Sequence, residues 1–223
     1  MGILGPASMT AIQRWLLALL LTASAVVVCY QWVDRPLALL AHAHSSHREA
    51  LVRLTHIPDL LLPFAVIAFV ALGIWALAGR PIPKIVGAGI LSSISLIVAE
   101  TIKSQFKFVF GRLWPDTWMQ NNPSFIHDGA YGFNPFHGGP GYASFPSGHT
   151  AATCAVISVL WILYPRLRPL YALGVLAVAV GLIGANYHYL SDVIAGGFVG
   201  ISTGWMTCAF WQGRQSGTAA SSA

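Results

Sequence analysis

Three short segments of this chain keep ionisable residues beside long apolar runs, and each suits the handling of a phosphate. His188 and Asp192 stand four residues apart. On a helix they share a face, so the carboxylate can accept from one imidazole nitrogen and leave the other free to attack. That is the pairing of nucleophile and orienting group found in catalytic triads, transferred to a histidine. Pro146-Ser147-Gly148-His149 opens an apolar run. The free N–H groups at a helix start, together with the macrodipole, bind anions. Ser147 adds a hydroxyl donor, and Gly148 lets the backbone come close to a ligand. In Lys103-Ser-Gln-Phe-Lys107-Phe-Val-Phe-Gly-Arg112-Leu-Trp114-Pro115, Lys107 and Arg112 offer positive charge for phosphate oxygens. Arginine adds a planar, bidentate fork.

The elements that must position these segments are apolar. Of 223 residues, 56% are hydrophobic and 9% charged, against about 25% charged in a typical soluble domain. Such a chain cannot cover a water-facing surface. Six segments approach the roughly 20 residues a spanning helix needs: 15–32, 60–78, 85–102, 150–163, 170–185 and 193–211. The expected architecture is all-α, a polytopic membrane protein built as a bundle of six transmembrane helices. A long outer loop joins helices three and four. Residues 1–214 read as one membrane domain with its motifs within 103–200, and 215–223 as a disordered Ser/Ala-rich tail.

Net charge is +5, but the 12 Lys and Arg are scattered without a run. Nucleic-acid binding needs a clustered basic face and is not expected. Cys29, Cys154 and Cys208 lie in apolar segments with no metal or redox spacing, and read as small buried hydrophobes. With both termini inside, Arg14, Arg80, Lys84, Arg166, Arg168 and Arg214 fall in short inner loops or termini, as the positive-inside rule favours. All three polar segments then meet at the outer, periplasmic face of what reads as a bacterial-type inner membrane.

The three segments, in this order, resemble the motifs of the type 2 phosphatidic acid phosphatase superfamily, which also contains soluble vanadium haloperoxidases. Pro146-Ser147-Gly148-His149 matches the middle motif in full. His188-x-x-x-Asp192 matches the third, and Lys107 and Pro115 match the ends of the first. Trp114 stands where the family has the first-motif arginine, Leu182 where it has the third-motif arginine, and Gly181 replaces the adjacent serine. The resemblance implies that His188 attacks phosphorus to form a phosphohistidine, with Asp192 holding its ring. His149 would protonate the leaving oxygen and then activate water. Lys107, Arg112, Ser147 and Gly148 would stabilise the phosphoryl charge. No metal or other cofactor is implied.

The apolar body and membrane-level motifs point to a lipid phosphate or diphosphate: phosphatidic acid, phosphatidylglycerol phosphate, an isoprenoid diphosphate or a lipid A phosphate. A phosphotransferase with the same site, an inactive homologue and a transporter are the alternatives. A transporter would carry its polar residues across the bilayer, whereas these gather at one face. Oligomeric state is not legible. Among the other polar residues, Glu100 reads either as functional or as a partner of Lys103 or Lys107. Trp114 and Trp118 read as interfacial anchors. Asn186 or a loop residue is a substitute for the second missing arginine. His42, His44 and His47 read as solvated surface, and His127, Asp128 and His137 as loop structure that could touch a headgroup. The aromatics of the long loop favour an ordered lid.

Overall fold

The computed structural model describes residues 9–44, 48–79, 83–118 and 120–221. Helices dominate, and no strand forms among the described residues. In chain order they are α1 (Ala11–Val28), α2 (Asp34–Ala43), α3 (Arg48–Thr55), α4 (Leu61–Leu77), α5 (Lys84–Phe110), the single turn α6 (Phe125–Asp128), α7 (Gly148–Leu163), α8 (Arg168–Gly184) and α9 (Leu190–Ser221).

Four stretches are long and apolar enough to cross a membrane: Ala11–Ala43, Lys84–Phe110, Pro165–Gly184 and Leu190–Gly213. Ala65–Leu77 and Gly148–Leu163 are apolar but shorter. Each of the six expected segments therefore coincides with a helix, while four of them reach spanning length. The surfaces fit that setting. Leu16, Leu20, Leu21, Ile67, Leu170, Leu173 and Phe210 are exposed, a pattern stable only against lipid tails. The chain is an integral membrane protein.

The ends of the elements differ from expectation. A capping box between Thr10 and Gln13 starts α1. Pro36 lacks an N–H and crowds the carbonyl of Trp32, four residues back. A widened π-turn over Cys29–Val33 absorbs that conflict, so the helix continues into α2 where the sequence suggests a stop near residue 32. At the other end, α9 runs to Ser221 through residues expected to form a tail.

Packing centres on α7 and α9. Glycines at four-residue spacing on α9 make this possible. A Cβ on Gly196 would come within 2.4 Å of the Ser147 carbonyl oxygen, and one on Gly200 within 2.3 Å of that of Ala151. Small residues at such crossings let backbones touch in a membrane, where hydrophobic driving force between helices is lost. Ala99, Ala151, Ala155 and Val199 fill the junction with α5. Ser95 Oγ adds a buried interhelical hydrogen bond, donating to the Ala155 carbonyl at 3.0 Å. α5 has 27 residues, about 40 Å at 1.5 Å per residue, so its last turns reach beyond a hydrocarbon core of about 30 Å. Gly111, at φ 54°, ends it in the left-handed region. A Cβ there would meet the Asn134 carbonyl oxygen at 1.8 Å.

The connection after α5 is folded back on itself. Isolated bridges tie Arg112 to Phe133 and Ala143, and Trp114 to Ser124. Phe110, Phe133 and Phe145 meet edge-on, and Tyr131 stacks on Tyr30 at the end of α1. The connection is thereby fastened to the end of α5 and to the turn that follows α1.

Candidate active site

His188 lies in the tight link between α8 and α9, and Asp192 in the first turn of α9. The His188 Nδ1–H donates to Asp192 Oδ2 at 3.4 Å, which leaves Nε2 with its lone pair free. The same carboxylate oxygen accepts from the Tyr189 amide at 3.0 Å and from Ser144 Oγ at 2.7 Å. The helix start, the connection and the histidine thus fix its orientation together. The His188 ring is buried. Burial pushes its pKa down to about 4, against the opposing hydrogen bond and charge of Asp192. The ring is therefore neutral at ordinary pH, the state a nitrogen nucleophile requires.

Behind Asp192 sits a buried ionic cluster. Arg112 Nη1 donates to Asp192 Oδ1 at 2.5 Å and to Ser191 Oγ at 2.6 Å, and Nη2 donates to Asp34 Oδ2 at 2.7 Å. Ser191 Oγ donates to Asp34 as well. The aromatic ring of Tyr189 lies 4.2 Å from the guanidinium carbon and that of Phe133 5.0 Å. Burial opposes the charge of Arg112, but the two carboxylates outweigh it and raise its pKa. Two carboxylates against one guanidinium leave the cluster one negative charge in excess. That excess favours a positive charge on the neighbouring His188 ring.

His149 occupies the first turn of α7, whose start is capped by Ser147 Oγ accepting from the Thr150 amide. The Ser147 amide donates to the Asp192 carbonyl at 3.0 Å, tying the start of α7 to that of α9. The rings of His149 and His188 face one another with centroids 6.4 Å apart. Both line a cavity of about 480 Å³ together with Lys103, Lys107, Gly148, Trp114 and Trp118. That volume lies in the ordinary range for a ligand pocket. Lys107 Nζ stands 5.7 Å from the centre of the Trp114 ring, and Trp114 lies against His188 at 5.1 Å.

Four of the seven site residues read from sequence line this cavity: His188, His149, Gly148 and Lys107. Asp192 is buried behind the His188 ring. The other two do not face the cavity. Ser147 is fully buried and used as a cap. Arg112 departs most from the expected phosphate ligand. It is fully buried, both terminal nitrogens are committed to carboxylates, and it does not line the cavity. Among the described residues no guanidinium lines the cavity. Trp114 fills the first arginine position as a wall, with its Nε1–H donating to the Pro140 carbonyl at 2.7 Å. Leu182 is core, packed with Val178 and Val193. Asn186 is turned away, donating to the Ala38 carbonyl.

Glu100 pairs with Lys103 at 2.6 Å, and both line the cavity. His127 pairs with Asp116 at 2.8 Å, and His44 with the Leu40 carbonyl. His47 lies outside the described residues. Sequence reading missed Asp34, His56 and Asp59. Asp34 could have been found, because an acidic residue at the end of a spanning run is a functional candidate by default. His56 and Asp59 carried no such signal.

A model of the PAP2 superfamily matches residues 87–216, more than half of the chain. The fold agrees with a solved transmembrane PAP2 type phosphatidylglycerolphosphate phosphatase from Bacillus subtilis. Its TM-score is 0.60 at 19% identity, over 90% of this chain and 95% of that one. Two lipid A 1-phosphatases, from Rhizobium etli and Rhizobium johnstonii, are each 36% identical over 75 residues. These residues are 33% of this chain, 32% of the first relative and 31% of the second, so the chain spans about a third of the curated relatives it matches. The protein belongs to the PAP2 superfamily.

Proposed function

We propose that this protein is a lipid phosphatase that removes phosphate from a membrane lipid through a phosphohistidine at His188. One observation carries the reading: two imidazoles from separate helices face a common cavity, and only one of them has its ring nitrogen held by a buried carboxylate. His188 Nε2 attacks phosphorus as the bond to the lipid oxygen breaks, and the His149 imidazolium gives its proton to that oxygen. Water then attacks the phosphohistidine while His149 takes its proton. The N–P bond breaks, inorganic phosphate leaves, and both rings return to their starting states.

Lys107, Lys103 and the Gly148 amide supply the charge and donors that phosphoryl transfer asks of a protein. Arg112 acts at a distance, by keeping Asp192 ionised and aimed. No step calls for a metal ion. The site opens toward the outer, periplasmic leaflet of the inner membrane, the orientation favoured by the short basic inner connections. The two relatives named for lipid A 1-phosphate support a phosphorylated glycolipid as the substrate.

The test is phosphate release by detergent-purified protein, in EDTA, from lipid A, phosphatidic acid and phosphatidylglycerol phosphate. Release from lipid A, lost in His188→Ala, is the expected result. Release that survives His188→Ala would refute the mechanism. Release only from the glycerol lipids would refute the substrate.

A further inference from the structure

We infer that Asp59 is the positioning carboxylate of His149, as Asp192 is of His188. The inference rests on the catalytic reading of His149 given above. The His149 Nε2–H donates to Asp59 Oδ1 at 3.0 Å, and the His56 Nδ1–H donates to Asp59 Oδ2 at 2.9 Å. All three residues line the cavity that holds His188 and Lys107. One carboxylate thus bridges two imidazoles. It fixes the ring of His149 by one nitrogen and leaves Nδ1 for proton transfer.

The charges around His149 explain why it needs such a partner. From α5, Lys103 and Lys107 face the cavity with Glu100. From the turn over Ile57–Leu60 comes Asp59, with His56 just before it, and from the α8–α9 link comes His188. Glu100 is already spent on Lys103. Two lysines placed to hold a phosphate disfavour a proton on a nearby imidazole. An acid that must protonate a leaving oxygen needs that proton. Burial lowers the pKa of His149 most, the two lysines lower it further, and the charge and hydrogen bond of Asp59 oppose both.

The packing of α3 explains how Asp59 arrives. α3 lies on α8 at Gly181 and Gly184, where added Cβ atoms would come within 2.8 Å of Leu54 and Leu51 side chains. Gly181 and Leu182 are the positions at which the family motif carries serine and arginine. The missing side chains at Gly181 and Gly184 admit α3, which leads through a short turn to His56 and Asp59 at the cavity.

The experiment compares Asp59→Asn, Asp59→Glu and His188→Ala with the wild type, following phosphate release from the lipid substrate between pH 4 and 9. Asp59→Asn is expected to lower kcat at pH 7 on the order of 10²-fold. Its alkaline limb, where His149 loses its proton, should move to lower pH, because the anion that favours the imidazolium is gone. Asp59→Glu should recover part of both. A loss of kcat with an unmoved alkaline limb would overturn the inference, since it would mark a packing role. So would wild-type kinetics in Asp59→Asn while His188→Ala is inactive. Activity in His188→Ala would instead overturn the parent mechanism, a separate result.

Discussion

Arg112 and Asp192 form a fully buried ion pair, 2.5 Å between Nη1 and Oδ1, on the side of the carboxylate away from His188. The pair decides what Arg112 does. Removing one partner of a buried ion pair costs about 3–5 kcal/mol, because the other is left charged and unpaired. Arg112→Ala should therefore lower the melting temperature in detergent strongly and take activity with it. A phosphate ligand would behave otherwise, raising KM with the fold intact. An unchanged melting temperature with a raised KM would return Arg112 to the cavity.

Lys107 lines the cavity with no carboxylate paired to it among the described residues, and Lys103 beside it is tied to Glu100. In the proposed mechanism Lys107 supplies the main positive charge for the transferred phosphoryl group, because Lys103 is paired with Glu100 and no guanidinium lines the cavity among the described residues. Lys107→Met should cut kcat/KM by about 10²–10³-fold, and Lys107→Arg should restore part of it. Near-wild-type kcat/KM in Lys107→Met would show that another group holds the phosphate.

The acid side of the pH profile reports on His188. Burial holds its ring pKa near 4 in the folded protein, below the ordinary 6.5. The nucleophile must be neutral, so kcat/KM should stay level as pH falls through 6.5 and drop only near 4. The same shift links to stability. Between pH 6.5 and 4 the unfolded chain takes up a proton that the folded one refuses, so stability should decline as pH falls through that window. An acid limb near 6.5 in the kinetic profile would contradict the burial of His188.

Gly200 sits where α9 crosses α7, with the Ala151 carbonyl and the Ala155 amide inside the space a Cβ would take. Both neighbours are backbone and cannot rotate away. Gly200→Ala should cost about 1–3 kcal/mol, read as a lower melting temperature. It should also reduce activity, since the two helices carry His149 and Asp192. An unaltered melting temperature would mean that the helices are less closely packed than described.

What the sequence made legible is tied to local pattern. The apolar runs gave the helices. The i, i+4 spacing of His188 and Asp192 and the capped start before His149 gave one arm each of the site, and the alternation of runs gave their meeting at one face. The partners were not legible, because each comes from a segment whose place depends on tertiary packing. Asp34 reaches Arg112 only because a π-turn carries α1 onward into α2. Asp59 reaches His149 only because α3 seats on Gly181 and Gly184. Arg112 reads as a phosphate ligand from its place beside Lys107 in the first segment, whereas the buried carboxylates of Asp34 and Asp192 set its direction.

The proposed mechanism turns on a covalent bond between phosphorus and His188. It is tested by mixing the protein with lipid carrying ³²P in the scissile phosphate, quenching in alkali within the first turnover, and locating the label by mass spectrometry. An alkali-stable, acid-labile phosphate on His188, absent from His188→Ala, is the expected result. Label on His149 or on another residue, or turnover in which no protein-bound phosphate forms, would contradict it.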